Sequence, residues 1–404
     1  MKVCQFIDTY YPIVDGAINV SKYYAQSVNK IECSYLAAPK PAKKYKETDE
    51  FEVVRCFSLP APEKYRCGVP AFDLKFKRRM KKEKFDILHA HSPYTMGRIA
   101  LKLGKKCKVP VVATLHTQYK ADFERVYKGN KFWVNFALKY IIKVYNKADS
   151  VWTVSQRSVD VLRSYGYKGD AVVVHNGTNF TYPDNAEQLI EKVNELHELK
   201  GQKNVFLFLG RMVWYKNLKL ICDGLKVLKD KGEDFRMLFV GGGFDYQEVY
   251  DYAEKLGITD KCIFTGQVSD SQMLQAYYLR SDLILYPSTC DMAPVAKVEA
   301  AAHNKASLVV ASSCSAELVE DGVNGFLCDE TIESFSNKLI ELCSNPELVK
   351  QAGENARKTI YRSWDMVGEE VVEKYKQVIE NYKNKQRELE QLKKNKRKNK
   401  NKKK

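Results

Sequence analysis

Two carboxylates, Asp291 and Glu299, stand eight positions apart in YPSTCDMAPVAKVEAAA, residues 286–302. The stretch reads as the end of a buried strand, a short polar loop and an alanine-rich helix. Pro294 suits a first helical turn. Glu299 then sits five residues in, on the face of Val295 and Ala296, leaning toward the helix N-terminus. A carboxylate so placed can accept two hydroxyls of a ribose, and Asp291 in the loop can accept hydroxyls of a sugar. The alternative is a capped helix with one solvated acid. Taken by itself, the stretch favours that alternative.

Three other clusters shift the balance. In FLGRMVWYKNLKL, a strand ends at Gly210, and Arg211 and Lys216 bracket the loop into a helix. A guanidinium fork and an ammonium suit the oxygens of a diphosphate. The spacing is not that of a Walker loop, which needs a Gly-rich run ending in Lys-Ser/Thr. Two solvated bases are the plain alternative, disfavoured by the positive end of the helix dipole. His116 closes the apolar strand of VVATLHTQY, while His89 and His91 close that of DILHAHSPY. A lone strand-end His is usually structural, but three at the ends of adjacent strands point to a polar pocket. Asp15-Gly16 in PIVDGAINVSKYYAQ separates the first strand from a helix. Gly16 lets the backbone approach a ligand, and the helix N-terminus favours an anion such as a pyrophosphate. Alone, this is an ordinary strand-to-helix turn.

Continuous apolar strands alternate with amphipathic helices almost from end to end, the pattern of parallel sheets covered on both faces. The polar stretch TYPDNAEQLIEKVNELHELKGQKN interrupts the series with one exposed helix. The expected organisation is a first doubly wound domain over 1–178, a linker over 179–203 and a second such domain over 204–365. A last helix over about 366–381 carries Val367, Val371, Val372, Tyr375 and Val378 at helical spacing and could pack on either domain. Ligands of open parallel sheets bind outside the carboxyl ends of the strands. A cleft between two such sheets is the expected site.

Of 404 residues, 45% are hydrophobic, with no apolar run long enough to span a bilayer. MKVCQFID passes directly into a strand, so no leader is expected, and eleven cysteines without a CxxC pair read as buried thiols of a reducing cytosol. No metal site is expected. The net charge is +16, and residues 383–404 hold twelve Lys/Arg against two Glu. That tail is expected to be disordered and drawn to an anionic surface. AFDLKFKRRMKKEKF adds seven Lys/Arg between Lys75 and Lys84, with Phe72, Phe76 and Met80 every four residues. It reads evenly as a surface helix with its apolar edge on the sheet or as an interfacial helix. Membrane surface ranks ahead of nucleic acid as the partner.

In order, the Gly turn, ATLHT, GRMVWYKN, FTGQVSDSQML, YPSTCDMAPVAKVEAAA and ELVEDGVNGFL resemble the retaining GT-B glycosyltransferases of family 4 over about residues 1–380. DILHAHSP and TLHTQY are most similar to the subgroup with bacterial diacylglycerol glucosyltransferases. The resemblance implies two Rossmann-like domains with a cleft between them and a last helix crossing back to the first. It implies that Arg211 and Lys216 hold the nucleotide diphosphate, Glu299 the ribose and Asp291 the donor sugar. It sets His116 near the reacting carbon, Gly16 at the phosphates, and Gln267 and Val268 beside the base. The family's two acids match, with Asp at 291 in place of the more usual Glu. Met292, Ala293 and Pro294 depart from the family, and Pro294 lacks an N–H to give the sugar. These residues and Val295 line the altered end. The implied activity is metal-independent transfer of a hexose from a nucleotide sugar, expected to be a UDP-sugar, without further cofactor. The expected acceptor is a membrane-associated lipid or glycan, and the expected place the inner face of the cell membrane. A catalytically weak homologue acting as a scaffold subunit is the alternative class.

Overall fold

The computed structural model describes residues 1–13, 16–61 and 66–401, with the side chains of 396–401 left out; Asp15 lies outside the described residues. The chain forms two compact units. One comprises Met1–His175 with Trp364–Lys404, the other Asn176–Ser363.

The first unit contains β1 (Lys2–Phe6), β2 (Cys33–Pro39), β3 (Glu52–Cys56), β4 (Ser58–Pro60), β5 (Arg66–Gly68), β6 (Ile87–Ala90), β7 (Val111–Leu115), β8 (Ser150–Thr153) and β9 (Val172–Val173). Seven of these make one sheet in the order β3-β2-β1-β6-β7-β8-β9, all parallel, and β4 with β5 forms a separate antiparallel pair. β6, β7 and most of β8 are buried residue by residue, as helices on both faces require. The strand order reverses between β1 and β6, the kind of point at whose carboxyl-end crevice open parallel sheets accommodate ligands.

The second unit contains β10 (Val205–Leu209), β11 (Arg236–Val240), β12 (Cys262–Gly266), β13 (Leu283–Leu285), β14 (Ala306–Val310) and β15 (Phe326–Cys328). Its parallel order is β12-β11-β10-β13-β14-β15, with the reversal between β10 and β13.

Three expectations change, and of two open readings of the basic helix the structure shows one. The stretch read as a linker over 179–203 is part of the second unit. Leu189 and Val193 of the Ala186–His197 helix, with Leu199 beyond it, are buried against Val205, Leu207 and Tyr277. The Arg280 guanidinium also ties the segment down, donating to the Leu199 and Gln202 carbonyls at 2.7 and 2.9 Å. A narrow apolar stripe in a mostly polar sequence was enough to anchor it.

The last helix is longer than expected, Trp364–Asn401, and belongs to the first unit. Val367, Val371, Val372 and Tyr375 are buried, and Tyr375 stacks on Trp152 with ring centroids 5.2 Å apart. The residues expected to be a disordered tail from 383 continue this helix to Asn401. They contain no Gly or Pro, and the packed turns before them have already met the cost of nucleation.

In the Leu74–Lys82 helix, Phe76 and Met80 are 3% and 2% exposed, so its apolar edge lies in the core, while its bases and Leu74, and Phe72 just before it, face outward. Finally, Pro294 caps the Val295–Ala302 helix rather than opening its first turn. Among the described residues, no helix is long and apolar enough to cross a membrane.

Candidate functional site

At the carboxyl ends of β10 and β13, the second unit gathers one lysine, one tyrosine, one serine and one aspartate. Lys216 ends the turn Trp214–Lys216 and is 7% exposed. Its Nζ donates to the Tyr286 hydroxyl at 2.7 Å and to Asp291 Oδ2 at 3.1 Å. The same Oδ2 accepts the Tyr286 hydroxyl at 2.9 Å and Ser288 Oγ at 2.6 Å. Burial works to raise the Asp291 carboxyl, but the Lys216 charge and these hydrogen bonds outweigh it and hold the group below the usual range. Asp291 is therefore ionised at neutral pH. An ammonium has three protons and a carboxylate two oxygens. Two recorded bonds on Lys216 leave it one N–H, and Asp291 Oδ1 has no hydrogen-bond partner among the described residues. Arg211 is exposed and makes no hydrogen bond or ion pair among them.

The loop that carries Arg211 and Lys216 is laced to its neighbours by backbone. Gly210 N–H donates to the Val240 carbonyl at 3.0 Å, Met212 N–H to Gly242 at 2.9 Å and Gly241 N–H to Gly266 at 2.9 Å. Trp214 N–H donates to Asp245 Oδ2 at 2.8 Å. A Cβ on Gly241 would stand 2.0 Å from the Gly210 carbonyl oxygen, and φ there is +134°. A Cβ on Gly243 would stand 2.2 Å from the Met212 oxygen. No other residue permits this approach. Gln267 is exposed and Val268 half-buried, both just beyond β12.

Glu299 lies on the Val295–Ala302 helix and accepts the Tyr278 hydroxyl on Oε2 at 2.8 Å. Among the described residues, its Oε1 has no hydrogen-bond partner. Burial pushes its carboxyl up to about 7, against the opposing effect of Tyr278. Met292 is buried, Ala293 and Val295 half-buried, and the Ala293 carbonyl accepts Asn176 Nδ2 at 3.1 Å. The buried Asn176 Oδ1 has no partner among the described residues.

In the first unit, His116 follows β7. Its Nε2 is 2.8 Å from His91 Nδ1, and His91 Nε2 is 2.7 Å from Gln5 Oε1. His89 Nδ1 lies 2.5 Å from the Tyr375 hydroxyl and its Nε2 2.6 Å from Thr114 Oγ1. Burial lowers all three imidazoles, His116 to about 4 and the other two well below their ordinary value, so all are neutral at pH 7. Asp8, just past β1, caps the Thr95–Cys107 helix. It accepts Ser92 and Thr95 hydroxyls at 2.7 Å each and the Met96 N–H at 2.9 Å. Gly16 is the first residue of the Gly16–Asn29 helix, with open space where a Cβ would lie.

Of the residues singled out from the sequence, the structure joins Lys216 to Asp291 directly. This changes the reading of both, since each was matched separately to a ligand group and each is the other's counter-charge. It also joins His116 to His91. Tyr286, Ser288, Gly241, Gly243, Asn176, Asp8, Gln5 and Tyr375 were missed. The run VGGG directly after a strand was a usable signal for the glycines. Nothing local marks Tyr375, which meets His89 from 286 positions away. No group of three His, Cys, Asp or Glu side chains among the described residues is placed to hold a metal ion.

Two family models match the chain: "Glycosyltransferase Family 4" over residues 17–182 and "Glycosyl transferases group 1" over 190–359. The alpha-monoglucosyldiacylglycerol synthase of Acholeplasma laidlawii is 25% identical over 367 residues, spanning 88% of this chain and 92% of that protein. The enzyme of the same name from Streptococcus pneumoniae is 22% identical, over 81% of this chain and 75% of its own. Among solved structures, Anabaena HepE in complex with UDP superposes with a TM-score of 0.75 at 17% identity, covering 93% of this chain and all of that one. Sucrose-phosphate synthase from Thermosynechococcus elongatus gives 0.74 at 16%, over 94% and 99%. These likenesses show the two-domain α/β GT-B fold.

Proposed function

Because the chain belongs to the family 4 glycosyltransferases, we propose that it moves a hexose from a UDP-sugar to a lipid acceptor at an anionic membrane surface, with retention at the transferred carbon. The relatives support the lipid acceptor, since two of them are named as glucosyldiacylglycerol synthases. HepE, solved with UDP and with UDP-glucose, supports the donor. The observation that carries the reading is the Lys216–Asp291–Tyr286 cluster beneath the glycine-laced loop. It holds an ammonium rigidly at a strand end with one N–H unused. That N–H and the open Arg211 guanidinium take the diphosphate and stabilise it as it leaves. Asp291 Oδ1 accepts a sugar hydroxyl, and Glu299 takes the ribose. Gln267 and Val268 flank the base, while Met292, Ala293 and Val295 line the sugar end. His116 meets the donor sugar and Gly16 the phosphates. The basic groups meet the phosphate charge, so no metal or further cofactor is assigned.

Glu299 gives a direct test. A carboxyl near 7 in the free protein, against about 4.3 unfolded, binds a proton that the unfolded chain lacks between those values. Through this group, stability falls as pH rises from about 4.3 to 7. Ribose hydroxyls donate to the ionised form, so donor binding expels the proton. UDP-glucose affinity is expected to rise from pH 6 to pH 8, and titration calorimetry in two buffers of different ionisation enthalpy is expected to register proton release. Glu299→Gln should bind about tenfold more weakly, with a flat pH profile. Wild-type affinity that is equal at pH 6 and 8 would remove Glu299 from the ribose.

We propose a further membrane-facing surface beside the two basic elements expected from the sequence. With Phe76 and Met80 in the core, the Leu74–Lys82 helix offers mainly charge. On the Lys131–Tyr145 helix, Phe132, Trp133, Phe136 and Tyr140 are 70%, 49%, 58% and 38% exposed, and Val126 and Tyr127 stand open just before it. Residues 125–148 hold six Lys/Arg and no acid. Aromatic rings among bases fit the interface of an anionic leaflet. Sedimentation with vesicles containing phosphatidylglycerol is expected to capture the full chain, and vesicles of phosphatidylcholine alone to capture little. F132S/W133S/F136S should lower capture at least tenfold. Unchanged capture by that variant, with loss on deleting 383–404, would assign the attachment to the basic end instead.

A further inference from the structure

We propose that Gln5, His91 and Tyr375 are positioning residues that lock His116 in one tautomer, with the proton on Nε2 and the lone pair on Nδ1. The proposal rests on the reading that His116 meets the donor sugar, and concerns which hydrogen-bonding role it brings there.

Donors and acceptors alone decide the tautomer. A neutral imidazole has one N–H and one lone pair, so a bond at one nitrogen decides the other. The Gln5 amide is the fixed point, because its oxygen only accepts and its nitrogen only donates. Oε1 lies 2.7 Å from His91 Nε2, the length of a short N–H···O bond, so that nitrogen carries the proton. His91 Nδ1 is then a lone pair, and the His116 Nε2 at 2.8 Å must donate to it. His116 Nδ1 is left as an acceptor, with no hydrogen-bond partner among the described residues.

The other side of Gln5 runs in the same sense. Its Nε2 lies 3.3 Å from the Tyr375 oxygen. The Tyr375 proton goes to His89 Nδ1 at 2.5 Å in preference to Gln5 Oε1 at 3.5 Å. His89 Nε2 then donates to Thr114 Oγ1 at 2.6 Å. Six side chains therefore form one directed chain from His116 to Thr114, in which every donor meets an acceptor. Turning the Gln5 amide over would reverse each step and put the proton on His116 Nδ1. In the orientation the structure gives the amide, its nitrogen donates to the Tyr375 oxygen, so the C-terminal helix takes part, through Gln5, in setting the remaining nitrogen of His116. A lone pair there takes a hydroxyl proton of the sugar; an N–H there would instead face an oxygen lone pair. Such a site discriminates against a sugar whose facing hydroxyl is missing.

The test is long-range proton–nitrogen NMR on the full chain, labelled with nitrogen-15 histidine and free of ligand. The expected wild-type spectrum has His116 Nε2 protonated and Nδ1 unprotonated. Tyr375→Phe and Gln5→Met are each expected to give mixed tautomers. Each should also transfer about tenfold more slowly at saturating donor, with UDP-glucose affinity unchanged, and circular dichroism checks that each variant is folded. A wild-type proton on Nδ1, or an unaltered single tautomer in both folded variants, overturns the proposal. His116→Ala transferring at the wild-type rate would overturn the sugar-contact reading and leave the tautomer result standing, so the two failures are distinguishable.

Discussion

Lys216→Ala is expected to slow sugar transfer by about two to three orders of magnitude, the usual cost of removing a donor aimed at developing charge. In the second unit, the ammonium serves two groups at once. It donates to Tyr286 and Asp291, and in the proposed function its remaining N–H meets the departing diphosphate. Without it, Asp291 keeps only the Tyr286 and Ser288 hydroxyls against its desolvation. Its carboxyl then rises. The fold should lose about 1–2 kcal/mol, less than for a sealed pair because Asp291 is 28% exposed. K216A/D291N separates the two effects. Removing the stranded charge should recover most of the urea midpoint and none of the rate. A single variant within tenfold of wild-type turnover would show that the charge on the leaving group is met elsewhere.

Gly241→Ala and Gly242→Ala, neighbours in the same loop, are expected to differ sharply. At Gly241, φ is +134° and a Cβ would lie 2.0 Å from the Gly210 carbonyl oxygen. Alanine must force this loop away from the one that carries Arg211 and Lys216, at a cost of about 3 kcal/mol. At Gly242, the nearest atom to a new Cβ is Gln267 Cβ at 3.5 Å, an ordinary contact. That variant should stay within about 0.5 kcal/mol of wild type. Thermal unfolding with and without UDP reads both consequences, because the displaced loop should also weaken nucleotide binding. Equal midpoints for the two variants would mean that the close approach of the loops is not a constraint on the fold.

The sequence made the two parallel sheets legible because strands buried on both faces are written as uninterrupted apolar runs, as in VFLFL and VVATL. Residue types at strand ends exposed the candidate site for the same reason. Pairing was another matter. Lys216 and Asp291 lie 75 positions apart, and no local pattern says that one neutralises the other. Amphipathic spacing in residues 71–85 described a helix correctly but left open which side would be covered; the β-sheet took Phe76 and Met80. The aromatic face at Phe132–Phe136 was hidden for the opposite reason, since its apolar residues are indistinguishable from core residues until the fold assigns them a side. In residues 179–203, composition outweighed two well-placed apolar side chains, Leu189 and Val193.

The Trp364–Asn401 helix also bears on the order in which the chain is completed. The second unit is one continuous stretch, whereas the first draws its final core residues, Val371 and Tyr375, from the segment that follows the second unit. At about 5–20 residues per second, the sheet that carries His89 and Trp152 waits some tens of seconds beyond its own synthesis for the side chain that stacks against it. The half of the protein begun first is thus finished only after the second unit has been made, and its polar centre stays uncovered on the ribosome until then.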